Sequence, residues 1–217
     1  MNFSDVLTKE ISSHHLLGHP FYQAWMAGEL SREQLAKYAF QYAPHVNAFP
    51  RFVSAVHAQA ENPVARKMLM ENLVDEEGAN GSTPHPELWR RFAAALGADV
   101  SRVTESDVGP KARELVEKFH KLCRSSYAEG LGALYAYEHQ VPEVARTKTE
   151  GLLKFYGMAK GEATEFFDVH ESADRYHSEA VSNLLNELSD TEKQKAMRAA
   201  KEASQALWDF LTEAYAA

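Results

Sequence analysis

A histidine and aspartate pattern in the last third of the chain offers side chains that bind divalent metals. His170, Asp174 and His177 are spaced by four and then three residues. Because an α-helix turns about 100° per residue, these side chains fall on one face, within a stripe of roughly 60°. The stripe is roughly 10 Å long, which is too long for one small ion unless the helix bends or two ions are bound. The same spacing also fits a solvated helix face that contains two histidines.

Three other residues could complete a metal site. Glu76 lies at the end of an apolar-faced helix, and Glu138 follows an aromatic pair among small residues. A carboxylate in such surroundings is either exposed at a helix edge or buried with a partner, because the burial of an isolated charge is very costly. His85 lies between two prolines at a predicted helix start. Taken alone, His85 is better explained as an exposed loop histidine.

Taken together, these candidates predict a site for two metal ions. Two divalent ions nearly neutralise three carboxylates, whereas one ion leaves negative charge uncompensated. Oxygen and imidazole donors without thiolates suit iron or manganese better than structural zinc. Helical bundles do build carboxylate di-metal sites, although the spacing here differs from the repeated Glu-x-x-His motif of ferritin-like proteins. The candidate ligands are Glu76, His85, Glu138, His170, Asp174 and His177.

Several tyrosines and one lysine could take part in redox chemistry beside such a site. Phenols are readily oxidised, and a lysine that loses water contact can lose its proton and act as a nitrogen nucleophile. Core packing with a hydrogen-bonded hydroxyl is the simpler explanation for the tyrosines. A surface position is the simpler explanation for the lysine, because its segment is highly charged. The residues concerned are Tyr22, Tyr38, Tyr42, Tyr137 and Lys148.

The elements that position these residues are predicted to be helices almost throughout. Serine followed by Gln or Glu three residues later predicts capping boxes at Ser31 and Ser189. Pro44 and Pro50 predict a kink or break within one long helix. The chain is expected to form one all-α domain over residues 1–217, a single helical bundle with short connections. The expected helices cover about 3–17, 21–26, 32–56, 63–77, 83–96, 110–140, 142–156, 160–188 and 190–215.

Composition narrows the function classes. The chain has 217 residues, a net charge of −8 and one cysteine, Cys123. The acidic balance argues against nucleic-acid binding and against docking on an anionic membrane. A single cysteine excludes an internal disulfide and a cysteine-rich metal site, and it favours a reducing, cytoplasmic location. Homodimers are common among such bundles, and a partner protein is not expected.

Segments spread along the chain resemble the haem-oxygenase-like diiron oxidases. Within these, they are most similar to the group of the chlamydial protein associating with death domains and its bacterial relatives. The resemblance covers about residues 12–212, and its most specific parts are the run HESADRYH and the segment LYAYEHQVPEVARTK. It implies a bundle of about seven core helices. Two departures are a longer loop between Glu76 and His85 and a phenylalanine, Phe166, where the family has a pocket tyrosine.

The resemblance also implies an activity and a set of roles. Members of this group are implicated in an alternative route to p-aminobenzoate for folate, using dioxygen and a dinuclear iron or iron–manganese centre. The aromatic ring is thought to come from one of the protein's own tyrosines, in a single turnover. Tyr22 matches that tyrosine, Lys148 matches the amino donor, and Tyr38 and Tyr137 match nearby tyrosines. The metal ligands implied are the six candidates named above.

Two other interpretations remain open from the sequence. Relatives with this fold include metal-free or thiol-dependent enzymes that act on pyrroloquinoline or thiamin fragments, similar to PqqC and TenA. Such an enzyme would lack the metal-binding residues, and a thiol-dependent one would use Cys123 as its nucleophile, although a buried inert thiol is more common. The third interpretation is a helical interaction module, which exposed apolar patches would favour.

Overall fold

The computed structural model describes residues 2–79 and 81–216, and within these ranges the chain forms helices and turns without a β-strand. This confirms the prediction of an all-α bundle. Buried side chains from every helix join one hydrophobic core. Within the described ranges, no helix combines the length and apolar character needed to cross a membrane. The helices are Phe3–Ile11 (α1), Pro20–Ala27 (α2), Arg32–Gln59 (α3), Pro63–Glu77 (α4), His85–Leu96 (α5), Pro110–Ser125 (α6), Tyr127–Glu138 (α7), Val141–Phe155 (α8), Glu165–Asn186 (α9) and Asp190–Ala216 (α10).

Local hydrogen bonds explain where several helices begin. Ser31 and Gln34 form the predicted capping box at the start of α3. Ser189 and Glu192 make the equivalent pair of bonds before α10. Asn62 accepts a bond from the backbone of Val64 at the start of α4. Each of these side chains satisfies a backbone N–H that the first helical turn leaves without a partner.

The first predicted helix is wrong in its length. Helix α1 ends at Ile11, and two 3-10 turns follow, at Ser12–His14 and Leu16–Gly18. The N–H of Leu16 donates to the side chain of Gln140 at 2.7 Å. This tertiary contact replaces the helical bond that a continuous α1 would have supplied at that position.

The predicted helix over 110–140 is also wrong, because it is interrupted at Ser126. Ser126 has an extended backbone, and its hydroxyl oxygen accepts a bond from the N–H of Glu129. A serine side chain that caps a new helix competes with continuation of the old one. The interruption creates α7, whose residues 130–138 are all buried and which carries Tyr137 and Glu138.

Helix α3 runs without a break through Pro44 and Pro50, so the prediction of a break there is wrong. Both prolines are buried, and α3 packs against α4, α5, α6 and α7. A proline removes one backbone hydrogen bond from a helix. Packing on several sides stabilises the helix enough to tolerate that loss. As a result, Tyr38, Tyr42 and His45 stay on one continuous helical face.

The close approach of α7 to α10 generates a stability prediction. A Cβ added at Gly132 would overlap the backbone carbonyl of Ala196 in α10. We expect Gly132→Ala to lower the free energy of unfolding by about 1–3 kcal/mol, as overpacking does in other cores. Chemical denaturation measured by circular dichroism tests this. Gly18→Ala is the control, because a Cβ there meets nothing within 4 Å. Equal stability of the two variants would contradict the packing argument.

Candidate active site

The six predicted metal ligands converge in the interior, contributed by four helices. Each is at most 3% exposed. Glu76 lies at the end of α4, His85 is the first residue of α5, and Glu138 is the last residue of α7. The other three come from one face of α9, as their spacing predicts. His85 is therefore not the exposed loop histidine that its isolated sequence context suggests.

Three of the ligands form one compact group. Glu76, His85 and His170 each place a donor atom within 4.8 Å of the others. The His85 Nδ1 atom lies 3.0 Å from Glu76 Oε1, yet Nδ1 has no hydrogen-bond partner of acceptable geometry. Two donor atoms bound at about 2.1 Å to one ion, at a right angle, lie roughly 3 Å apart. The contact therefore fits joint coordination of a cation.

The other three ligands form a second group one turn further along α9. His177 Nδ1 lies 3.4 Å from Asp174 Oδ1. The charge of Glu138 acts on both of these residues, but the donor atoms of the three are not as close together as those of the first group. The roughly 10 Å stripe on α9 is thus divided between two neighbouring groups, as a two-ion site requires.

Partners outside the six residues orient the ligand atoms. His170 Nδ1 donates to the carbonyl of Phe166 at 2.6 Å, which leaves its Nε2 atom for a metal. His177 Nε2 lies 3.1 Å from Asp75 Oδ2, which leaves Nδ1. Asn72 donates to Glu138 Oε1 at 2.6 Å, which leaves Oε2. Such partners set the tautomer and direction of metal ligands.

The sequence analysis did not single out Asn72 or Asp75. Asn72 precedes Glu76 by four residues, so helical periodicity places the two on the same face of α4. That spacing was an available signal for Asn72. Asp75 is the acid next to Glu76, and no pattern in the sequence distinguishes it from Glu77. Only packing of α4 against α9 shows that Asp75 contacts His177.

The electrostatics of the six residues fit two divalent cations. Burial raises the pKa of Glu138 to about 8 and that of Asp174 to about 6. Burial alone would lower the pKa of His177, but the nearby carboxylates of Asp174, Glu138 and Asp75 raise it to about 9. The positive charge that the protein places near Glu138 and Asp174 is therefore too small to offset the effect of burial on their pKa values. Four buried atoms of these residues that could bind a metal have no hydrogen-bond partner. They are His85 Nδ1, Glu138 Oε2, Asp174 Oδ2 and His177 Nδ1.

A lysine inside an aromatic cage lies next to this centre. Lys148 is 5% exposed, and its Nζ atom donates to the Tyr38 hydroxyl at 2.6 Å. No ion pair to Lys148 occurs among residues 2–79 and 81–216, and burial lowers its pKa to about 7. The simpler explanation, a surface position for this lysine, therefore does not hold. Six rings surround Nζ at centroid distances of 4.8–6.0 Å, those of Tyr22, Trp25, Tyr38, Tyr42, Trp89 and Phe167.

The buried tyrosines connect the lysine to the metal ligands. Tyr22 and Tyr38 lie close enough for each phenol to affect the pKa of the other, and so do Tyr42 and Tyr137. The rings of Tyr38 and Tyr42 stack with centroids 5.7 Å apart. Burial raises the pKa of all four phenols, so each keeps its proton. The charge of Asp174 acts on Tyr42 and Tyr137, which places this pair at the metal end.

A small cavity joins the two halves of the site. It has a volume of about 30 Å³ and is lined by these four tyrosines, Lys148 and His170, among others. One water needs roughly 10–15 Å³ of such volume, whereas a cavity that binds benzene measures roughly 150 Å³. The cavity therefore has room for a diatomic gas or about two waters but not for a separate aromatic ring.

Comparison with known proteins assigns the family. A family model described as "iron-containing redox enzyme", of the haem-oxygenase type, matches residues 36–208. The chain belongs to this family. It is 42% identical to a 4-aminobenzoate synthase of Nitrosomonas europaea, over 96% of this chain and 89% of that protein. It is 40% identical to a 4-aminobenzoate synthase of Chlamydia muridarum, over 97% of this chain and 89% of that protein.

Solved structures confirm the fold of this family member. A TenA homologue from Pseudomonas syringae has a TM-score of 0.83 at 19% sequence identity. The match covers 99% of this chain and 93% of that chain. At such low identity the match shows the fold alone. Together with the chlamydial relative, it confirms the resemblance on which the sequence analysis relied.

The two ligand groups generate a metal-binding prediction. Anaerobic titration with ferrous or manganous ions, followed by elemental analysis, is expected to give two ions per chain. We expect His85→Ala and His177→Ala each to lose one ion, because each removes a donor from a different group. His57→Ala, a half-buried histidine at the end of α3, is the control. Two ions in either site variant would contradict this division.

The buried amine generates a stability prediction. Lys148 has a pKa of about 7 in the folded chain and an ordinary value of 10.5 when unfolded. The unfolded state thus binds more protons between these values, so this residue makes folding more favourable as pH rises through that window. We expect Lys148→Met to stabilise the protein by a few kcal/mol at or below about pH 7. That gain should shrink as the pH approaches 10.

Denaturant unfolding at a series of pH values measures this difference. Lys154→Met is the matched control on the same helix, because Lys154 is exposed. We expect its stability to follow the wild-type protein at every pH. A gain for Lys148→Met that did not change with pH would mean that burial does not suppress the charge of Lys148.

Proposed function

We propose that this protein makes 4-aminobenzoate from its own side chains, with Tyr22 as the source of the ring and Lys148 as the source of the amino nitrogen. The oxidant is dioxygen, and the cofactor is a pair of iron ions or one iron and one manganese ion. The two 4-aminobenzoate synthases at 40–42% identity support the product. The iron-containing redox family supports the metal.

One observation carries the proposal, which is the enclosure of the Lys148 amine beside Tyr22. The Nζ atom lies 5.4 Å from the centroid of the Tyr22 ring, and both residues are buried. The adjoining cavity, at about 30 Å³, is too small for an external aromatic substrate. A nitrogen donor and a ring acceptor that are already packed together need no substrate ring to enter.

The metal ligands would be the six converging residues, in the two groups described above. When bound, the ions supply the electrons that reduce dioxygen, and so provide the oxidising power of the reaction. Asn72, Asp75 and the Phe166 carbonyl orient the ligand atoms through the hydrogen bonds described above. The mainly apolar surroundings exclude water, which protects an oxidised tyrosine from competing reactions.

The lysine is prepared to react as a nucleophile. With its pKa near 7, a substantial fraction of Lys148 is a neutral amine at neutral pH. Its hydrogen bond to Tyr38 fixes the Nζ atom and keeps it within the cage. An ordinary lysine would keep its proton and have no free electron pair for bond formation.

The carbon and nitrogen atoms of the product can be assigned to these two residues. The six-membered ring and Cβ of Tyr22 become the ring and carboxyl carbon, so the Cα–Cβ bond must break. The Lys148 nitrogen takes the place of the phenol oxygen, which leaves as water. The bond from this nitrogen to Cε of Lys148 then breaks, and Cε is left as an aldehyde, with its electrons also passing to dioxygen. Oxidation of Cβ to a carboxyl group removes electrons, and dioxygen accepts them. Each chain would therefore react once.

The other two interpretations receive less support. A thiol-dependent reaction would need an accessible thiolate, but Cys123 is fully buried and its burial raises the thiol pKa. A metal-free enzyme would have no use for six buried ligands with unpartnered donor atoms. An interaction module would expose a continuous apolar patch. The exposed large apolar side chains are instead dispersed over α2, α4, α8, α9 and α10.

Isotope labelling tests the proposal. The protein is produced with ring-labelled tyrosine and with lysine carrying nitrogen-15 at Nζ, and is then given ferrous and manganous ions, a reductant and air. We expect 4-aminobenzoate to carry both labels, with loss of mass at the peptides of Tyr22 and Lys148. Tyr22→Phe and Lys148→Arg should lower the yield at least tenfold while metal content stays the same.

Two matched variants complete the experiment. Tyr156→Phe removes a partly buried hydroxyl that bonds to Trp25, and Lys154→Arg changes an exposed lysine of α8. Both should yield as much product as the wild type. Unlabelled product from labelled protein, or an intact Tyr22 peptide after product has formed, would refute the self-sacrificing reaction.

A further inference from the structure

A tryptophan outside the metal centre joins the two helices that carry the reacting side chains. Trp25 lies on α2, three residues after Tyr22, and is fully buried. Its indole N–H donates to the backbone carbonyl of Lys148, inside α8, at 3.3 Å. A carbonyl oxygen has two lone pairs, so it can accept this bond in addition to the helical one. The bond therefore connects the backbone that carries the amine directly to the helix that carries the ring.

A glycine in α8 makes room for the indole. A Cβ atom at Gly151 would lie 2.6 Å from both Cδ1 and Nε1 of Trp25, well inside van der Waals contact. Glycine in a helix interior is unfavourable relative to alanine. The close approach of the indole explains why it occurs here. Gly151 lies three residues after Lys148, so the two occupy the same face of α8.

A second close contact fixes the end of α2 against α8. Gly28, which follows the last residue of α2, has a φ of 72°, and a Cβ there would lie 2.6 Å from the ring of Phe155. Helix α2 has only eight residues, and an isolated helix of that length is unstable in water. The position of α2 therefore depends on the elements that it packs against, and α8 is one of them.

The amine of Lys148 needs to be fixed at both ends of its side chain. The bond from Nζ to the Tyr38 hydroxyl, at 2.6 Å, fixes the far end. This bond does not fix the backbone from which the flexible side chain starts, whereas the bond from Trp25 does. Reacting atoms must approach to about 3–3.5 Å, and an error of about 1 Å can slow a reaction on the order of a hundredfold.

We propose that Trp25 is a positioning residue that sets the distance between the Lys148 amine and the Tyr22 ring. The inference rests on the proposed function, because that function joins the nitrogen of one residue to the ring of the other. Trp25 is not chemically changed in this role. Its ring contacts those of Phe21 and Tyr38 at the amine end of the site, so its exchange is expected to leave metal binding intact.

Two variants separate the indole bond from the packing of the ring. Benzothienylalanine at position 25 alone keeps the shape of the ring but replaces the N–H with sulfur, so the bond to Lys148 is lost. Gly151→Ala keeps the indole but pushes it away from α8. The matched controls are the same analogue at Trp208, which is half-buried in α10, and Gly132→Ala, which produces a similar overlap between α7 and α10.

The first measurement uses metal-free protein, so it does not depend on the reaction. Magnetic resonance measures cross-relaxation between the ring protons of Tyr22 and the side-chain protons of Lys148, with signals assigned from Tyr22→Phe and Lys148→Arg. We expect its rate to fall at least twofold in both test variants and to stay unchanged in both controls. Circular dichroism verifies that each variant is folded. An unchanged rate in the two test variants would overturn the proposal.

The second measurement uses protein loaded with ferrous and manganous ions. It gives the ratio of 4-aminobenzoate carrying nitrogen-15 to the Tyr22 consumed. We expect this ratio to fall at least about tenfold in both test variants, with metal content unchanged, because oxidation of the ring does not require the amine to be aligned. A merely structural role would lower Tyr22 consumption and product together and leave the ratio constant. That result would contradict a positioning role.

A double variant tests whether Gly151 acts through the indole. The shorter ring of Trp25→Phe lacks Nε1, so Gly151→Ala is expected to lower the ratio no further in that background. Additive losses would show that Gly151 acts independently of Trp25. If the wild-type protein forms no nitrogen-labelled product, the proposed function fails. The cross-relaxation rates then still decide whether Trp25 sets the distance between the amine and the ring.

Discussion

Three carboxylates buried in a helical core impose the strongest physical constraint on this protein. An isolated buried charge is very unfavourable, so each carboxylate needs positive charge, a proton or hydrogen-bond donors beside it. Here the raised pKa values of Glu138 and Asp174 show that the protein's own groups do not suffice. Three histidines and several unpartnered donor atoms face the same space. This combination is unfavourable in an ordinary core and favourable around cations.

The lysine represents the complementary case. Lys148 is buried without an anionic partner among the described residues, and burial lowers its pKa to about 7, which favours the neutral amine. Burial favours the neutral form of both the amine and the carboxyl groups. It therefore lowers the pKa of the lysine and raises the pKa of the carboxyl groups. The metal end and the amine end of the site are linked by the tyrosines, whose protons are retained for the same reason. One physical effect therefore prepares the amine, the phenols and the carboxylates together.

Two features of the fold hold the residues of the site in position relative to one another. The interruption at Ser126 creates α7 as a separate helix that lies deep in the bundle and ends at Glu138. The continuity of α3 past Pro44 and Pro50 keeps Tyr38, Tyr42 and His45 on one face. A break at Pro44 would separate His45 from Tyr38 and Tyr42. Close packing of small residues of α7 against α10 leaves the larger side chains free to line the site.

The sequence by itself determined the helical class, the capping boxes and the shared face of His170, Asp174 and His177, because these depend on contacts within a few residues. The family motifs added Lys148 and Tyr22, which local patterns alone would assign to the surface and to the core. Only the tertiary structure decided that His85 is buried, that Asn72 and Asp75 contact Glu138 and His177, and that α1 and the helix over 110–140 end early. Each of these outcomes depends on contacts between residues far apart in the chain, whose energies no local pattern contains.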